Sequence, residues 1–169
     1  NEPIKVYEPN SDEKKSLIEK INELSSEVIE IPIIINGEEL LTGDMGDCVK
    51  PYDHSHLLGR YHKAGESEVK MAIESSLDAW NEWSRISFEE RAKIFLKMAE
   101  LLTGPYRNII NASTMLNMSK NVYQAEIDAA CELIDFWNFN CWYAQEIYAQ
   151  QPMYSPEGTK NQTEHRPLE

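Results

Sequence analysis

Apolar positions along the first sixty residues change period twice. From about Asp12 to Val28, Leu17, Ile21, Leu24 and Val28 recur at helical spacing with charged residues between them. That pattern predicts an amphipathic helix on the surface of its domain. Ile31, Ile33 and Ile35 then alternate, Asn36-Gly37 follows, and Glu38 to Leu41 returns. Asn and Gly both tolerate the positive φ of a two-residue turn, so the stretch predicts a β-hairpin. From Thr42 to Ala64 the chain is rich in Gly, Asp and His, with β-like pieces near Cys48 to Lys50 and Leu57 to Tyr61. A small antiparallel sheet is expected there.

The rest reads as helix. Ser67 is a plausible N-cap for a helix to about Ser84, with Val69, Ile73, Leu77 and Trp80 as its stripe and Glu68 at the positive end of its dipole. Ser87 with Glu90 forms a capping box ahead of Ile94, Phe95, Met98, Leu101 and Leu102, until Thr103-Gly104-Pro105 breaks the run. Pro105 fits the first turn of a further helix through Ile109, Ile110, Met115 and Met118, because its missing N–H has no helical partner there. A last helix is expected from about Tyr123 to Tyr148. It carries Ala130, Leu133, Ile134, Phe136, Trp137, Trp142 and Tyr143 around most of its circumference, which predicts burial against more than one neighbour. Beyond Gln151, Pro, Ser, Gly, Thr and Asn dominate and no stripe continues, as in a solvent-facing or extended tail.

Composition narrows the class. A chain of 169 residues with 41% hydrophobic and 27% charged residues is ordinary globular protein. Its 16 basic and 29 acidic residues give a net charge of −13, a field that repels phosphate backbones and anionic lipid, so neither nucleic acid nor a membrane is expected as partner. No apolar run reaches the roughly 18 to 20 residues of a membrane helix, and the opening residues lack the basic-then-apolar order of a signal peptide. Three cysteines with no C-x-x-C fit reduced thiols in the cytoplasm or the mitochondrial matrix.

Candidate chemistry is sparse. His54, His56 and His62 near Cys48 and Asp53 suggest a metal, but they lack paired ligand spacing and read better as solvated histidines of the turn after Pro51. Cys131 and Cys141 fall within the apolar last helix and read as core residues, and Cys48 as a strand residue. Seven glycines, with neither G-x-G-x-x-G nor G-x-x-x-x-G-K-[ST], supply no dinucleotide site. Among Glu126, Asp128, Glu132 and Asp135, Glu132 falls beside Ala129, Leu133 and Phe136, where a carboxylate needs a partner; an edge position reaching solvent is the plainer alternative. Trp80, Trp83, Trp137 and Trp142 are expected to pack in the core rather than frame a ligand.

The wording of particular segments goes further. In order, NEPIKVYEPNS, IPIIINGEEL, PYDHSHLLGRYHKA, RAKIFLKMAELLTGPYR and QAEIDAACELIDFWNFNCWYA with AQQP resemble the N-terminal part of the Δ1-pyrroline-5-carboxylate dehydrogenases, a branch of the aldehyde dehydrogenase superfamily. The resemblance implies an α/β enzyme of aldehyde dehydrogenase type, of which this segment is mostly α with a small antiparallel hairpin and sheet. Residues 1–150 then form the helical and hairpin part of the NAD-binding domain, and residues 151–169 begin the strand or linker toward the oligomerisation flap. It implies oxidation of glutamate γ-semialdehyde to glutamate with NAD in proline catabolism, by a homo-oligomer.

The resemblance places the family's oxyanion-holding Asn, its Lys for NAD, its general-base Glu and its nucleophilic Cys after Glu169. This segment is then expected to hold no catalytic residue, no cofactor of its own and no activity. Glu132 alone carries over, matching a helix glutamate at the mouth of the substrate pocket, where it meets the substrate's ammonium group. A non-catalytic helical oligomerisation domain is the rival reading, and a metal module on the histidines a third. The final Leu168-Glu169 fits native sequence and a tag remnant equally.

Overall fold

The computed structural model describes residues 1–166; the Leu168-Glu169 end lies outside them. After an irregular arm, Asn1–Tyr7, helix α1 runs Asp12–Ser26. Ser11 caps it, its hydroxyl accepting from Lys14 N–H, and Asp12 and Glu13 sit at the positive end of the dipole. At the other end Ser25 C=O accepts from His56 Nε2 at 2.9 Å and Lys50 Nζ donates to Ser25 Oγ at 2.7 Å. Two basic side chains thus meet the negative end of the helix.

Strands β1 (Ile29–Ile31), β2 (Ile33–Ile35), β3 (Glu38–Leu40), β4 (Met45–Lys50) and β5 (Asp53–His62) follow. The hairpin of β2 and β3 forms as expected, with Asn36 and Gly37 both at positive φ, 53° and 79°. The other sheet, in order β1-β5-β4, departs from expectation. β4 and β5 pair antiparallel, but β1 adds to β5 in parallel, Ile29 against Gly59 and Ile31 against Tyr61. Ile31 therefore belongs to a different sheet from Ile33, a partition that alternation cannot reveal. Gly59 permits the pairing: a Cβ there would lie 2.9 Å from Ile29 C=O. His54, His56 and His62 stand on β5, not in a turn.

Helices α2 (Glu66–Trp83), α3 (Phe88–Thr103) and α4 (Arg107–Met118) come next. Gly65, not Ser67, caps α2. The Ser67 hydroxyl is spent on Glu68, whose carboxylate reaches back to Gly65 N–H at 2.6 Å. Ser87 caps α3 through Glu90 N–H, but the Glu90 carboxylate pairs with Lys93, so the reciprocal half of the box is missing. Pro105 lies outside α4, because residues 104–106 close α3: Gly104 N–H donates to Glu100 C=O and Tyr106 N–H to Leu101 C=O. The expected last helix is three pieces, α5 (Val122–Gln124), a π-helical segment (Ala125–Cys131) and α6 (Glu132–Ala149).

Two small cores hold the helices together. Tyr7, Leu17 and Ala112 join the arm, α1 and α4, with Ile21, Leu24 and Met115 around them. Ala99, Leu102 and Ile134 join α3 to α6, with Ile110, Leu133 and Trp137 alongside. Outside these the expected burial fails. The α2 stripe is open, Leu77 at 65% exposure, and on α6 Phe136, Trp142 and Tyr143 are more than half exposed. Trp83 and Trp137 line an open groove between α3 and α6 instead of a closed core. These faces carry helical periodicity, yet no element among the described residues covers them. Residues 150–166 are exposed and irregular and fold back on themselves, Gln151 pairing with the Thr163 backbone through both side-chain amide atoms.

So much uncovered apolar surface predicts association. Light scattering on the isolated chain at micromolar concentration should give a mass above the monomer's, together with binding of a hydrophobic dye. A compact monomer that leaves the dye dark contradicts this.

Candidate functional site

The buried carboxylate is Glu126, not Glu132. The Glu132 side chain is exposed, whereas Glu126 is fully buried on the face it shares with Ala130 and Ile134, four and eight residues on. The stripe was readable: Glu126, Ala130, Ile134, Trp137, Cys141 and Ala144 recur at steps of four, four, three, four and three. What the spacing cannot supply is the partner, Arg107, which α4 brings from outside the helix.

Arg107, with 2% exposure, uses all three of its donor nitrogens. Nε and Nη2 both reach the Glu126 carboxylate, and Nη1 pairs with Glu2. Nη2 also donates to Pro3 C=O at 2.8 Å and to Cys131 Sγ at 3.2 Å. Glu126 further accepts Lys5 N–H at 2.8 Å, the Tyr7 hydroxyl at 2.7 Å and Asn111 Nδ2 at 2.8 Å. Tyr7 holds a left-handed φ of 53°, an uncommon state for an aromatic residue, and its burial and hydroxyl bond offset the strain.

Protonation equilibria follow from this packing. Burial pushes the Glu126 carboxyl up, but hydrogen bonds from Arg107, Lys5 N–H, Tyr7 and Asn111 outweigh it and hold the pKa down to about 2. Burial disfavours the Arg107 charge, yet bonds to Glu126 and Glu2 win and raise its pKa. Burial, then the Glu126 hydrogen bond and charge, raise Tyr7. Burial and the Glu126 charge push the Cys131 thiol up to about 11, and burial also raises Cys141. Both cysteines are thus protonated hydrophobes rather than nucleophiles.

Glu132 opens α6 directly after the π segment, its N–H bonding to Ile127 C=O. It lines an open cleft of about 540 Å³ with Asn1, Asp135, Phe136, Phe139 and Tyr143. Asp135, one turn on, accepts Glu2 N–H at 2.7 Å and Asn1 Nδ2 at 2.8 Å. The cleft therefore offers one carboxylate without a hydrogen-bonded arm residue on it, set among aromatic walls.

The histidines do not converge. His62 is buried between Gly43 N–H and Glu30, at 3.1 and 2.9 Å, His56 meets Ser25, and His54 is exposed. Among the described residues no three His, Cys, Asp or Glu side chains group to hold a metal.

The network makes a pH prediction. Glu126 is depressed from 4.5 to about 2, so its contribution is present above pH 4.5 and is lost as pH falls toward 2. The shift corresponds to about 3 kcal/mol. Urea midpoints of the parent sequence should fall across that window, and those of Glu126→Gln should start lower and fall less steeply. Parallel curves contradict the assignment.

The model of the aldehyde dehydrogenase family matches residues 41–168. The probable delta-1-pyrroline-5-carboxylate dehydrogenase of Schizosaccharomyces pombe is 43% identical over all of this chain and 31% of its own length. The mitochondrial delta-1-pyrroline-5-carboxylate dehydrogenase of Homo sapiens is 41% identical over all of this chain and 30% of its own. The crystal structure of the Mycobacterium tuberculosis enzyme, 43% identical, superposes with a TM-score of 0.96 over 99% of this chain and 31% of that one. With NAD bound, the same enzyme superposes at 0.89 over 92% of this chain. The chain thus spans about 31% of the length of the relatives it matches. On a match that runs through β4 and β5, helices α2 to α6 and the π segment that carries Glu126, the chain belongs to the aldehyde dehydrogenase family.

Proposed function

We propose that this chain supplies the N-terminal part of an NAD-dependent dehydrogenase that oxidises glutamate γ-semialdehyde, the open form of Δ1-pyrroline-5-carboxylate, to glutamate in proline catabolism. Identity of 43% across its whole length to proteins of that name carries the reading. Residues 1–150 belong to the NAD-binding domain and residues 151–169 lead toward a flap that joins subunits of a homo-oligomer. Relatives named as mitochondrial support a mitochondrial location for a eukaryotic source protein, which this reading assigns to the matrix, with a bacterial one in the cytoplasm.

NAD does not fit the residues present. A dinucleotide needs free backbone N–H groups at a helix start, whereas Gly65, which opens α2, has its N–H taken by the Glu68 carboxylate. Gly37, Gly43 and Gly158, the positive-φ glycines, lie in turns that open no helix. NAD binding and the chemical step belong to the rest of the enzyme. This chain contributes recognition. The Glu132 carboxylate takes the substrate's ammonium group, and Phe136, Phe139 and Tyr143 flank its aliphatic portion.

The rival reading, a non-catalytic oligomerisation domain, draws on the exposed aromatic face of α6. One pair of measurements separates the two. In the complete enzyme Glu132→Ala should raise KM for the semialdehyde roughly tenfold with kcat little changed; an unchanged KM removes Glu132 from the site. Residues 1–169 alone should reduce no NAD with any aldehyde.

A further inference from the structure

The arm Asn1–Tyr7 has no regular secondary structure, yet a series of hydrogen bonds ties it to the helices. Asn1 and Glu2 N–H hold Asp135, the Glu2 carboxylate meets Arg107 and Thr103, and Pro3 C=O takes Arg107. Lys5 N–H and the Tyr7 hydroxyl close on Glu126. Every anchor joins residues about a hundred or more positions apart, so no local turn explains the path. Arg107 also touches both ends of the π segment, Glu126 at its second residue and Cys131 at its last. The next residue is Glu132. One guanidinium therefore fixes the arm and the turn that presents Glu132 at the same time.

We propose that the arm is a wall of the Glu132 cleft, and that Arg107, Glu126 and Glu2 are positioning residues that hold it there. The proposal rests on the reading that this cleft receives the substrate. Its logic is electrostatic. With the arm seated, Asp135 is occupied by Glu2 N–H and Asn1 Nδ2, leaving Glu132 to meet one ammonium group. With the arm released, Asp135 becomes a second bare carboxylate three residues away. It then draws competing cations and repels the substrate's own carboxylate, so affinity falls while groups elsewhere that carry out the chemistry are untouched. Cys131 supplies an independent gauge of seating. It is 5% exposed and lies under Pro3 C=O and the Arg107 guanidinium, so a lifted arm uncovers it.

Arg107 is too deeply buried to be a clean test, since its loss strands Glu126 and can unfold the domain. Glu2→Ala is better, because Glu2 does not line the cleft and it meets Arg107 through Nη1, leaving the Nη2 contact with Glu126 in place. The complete enzyme carrying Glu2→Ala, its conservative counterpart Glu2→Gln, and Glu132→Ala are compared by two readouts. One is iodoacetamide labelling of Cys131, located by peptide mass mapping; the other is the KM and kcat for the semialdehyde. Glu2→Ala should label Cys131 about tenfold faster and raise KM about fivefold with kcat within about twofold, and Glu2→Gln should recover most of both.

Faster labelling with unchanged KM shows an arm that forms no part of the cleft and overturns the proposal, as does labelling that does not change at all. If Glu132→Ala leaves KM unmoved, the role given to Glu132 fails by itself. The arm is then judged on Glu2→Ala alone: a rise in both readouts sustains it, and anything less overturns it.

Discussion

The Arg107–Glu126 ion pair is the constraint on which the rest of the described structure depends. Two opposite charges taken out of water cost more than their attraction returns unless further hydrogen bonds complete them. Here the completion comes from three separate places: the arm through Glu2, Pro3, Lys5 and Tyr7, α4 through Asn111, and the end of the π segment through Cys131. A charge stranded by loss of one partner costs about 3–5 kcal/mol. Each neighbour is therefore confined to positions that keep the pair satisfied, and the arm owes its single path to this more than to apolar contact. Of its first six residues none is buried.

The π segment serves the same end. Ala125–Cys131 contains one of the wide turns in which the bonding step lengthens by one residue. Glu126 and Cys131, five apart, both come to Arg107 as a result. From Glu132 onward ordinary α geometry resumes, and the face that continues from Glu126 runs through Ile134 into the contact with α3. The opposite face carries Glu132, Phe136 and Tyr143 and is left uncovered. That division of the helix agrees with a chain that spans 31% of its relatives, whose additional length has no counterpart here.

Local signals in the sequence were legible and non-local ones were not. Asn36-Gly37 dictated a hairpin because both residues accept positive φ, and Ser87 marked a helix start because its hydroxyl answers a backbone N–H three residues on. The parallel pairing of β1 with β5 was hidden, since Ile29 and Gly59 are thirty positions apart and only the absent side chain of Gly59 admits the contact. The family resemblance also read correctly, on ordered motifs over nearly the whole chain. The importance of Glu126 was missed for another reason. Its own stripe was visible, but a burial argument made one helix at a time favoured Glu132, whose neighbour Phe136 is just as apolar yet faces outward.

The distances between anchors along the chain have a consequence for synthesis. Asp135 follows Glu2 by 133 positions, and Glu126 follows Tyr7 by 119. At about 5–20 residues per second, the ribosome needs on the order of ten seconds to make the acceptors after it has made the arm. Through that interval the first residues have nothing to bind and their backbone N–H groups stay in water. The arm, made well before its acceptors, is thus among the last of these elements to be seated, and it closes over a core that has to be assembled without it.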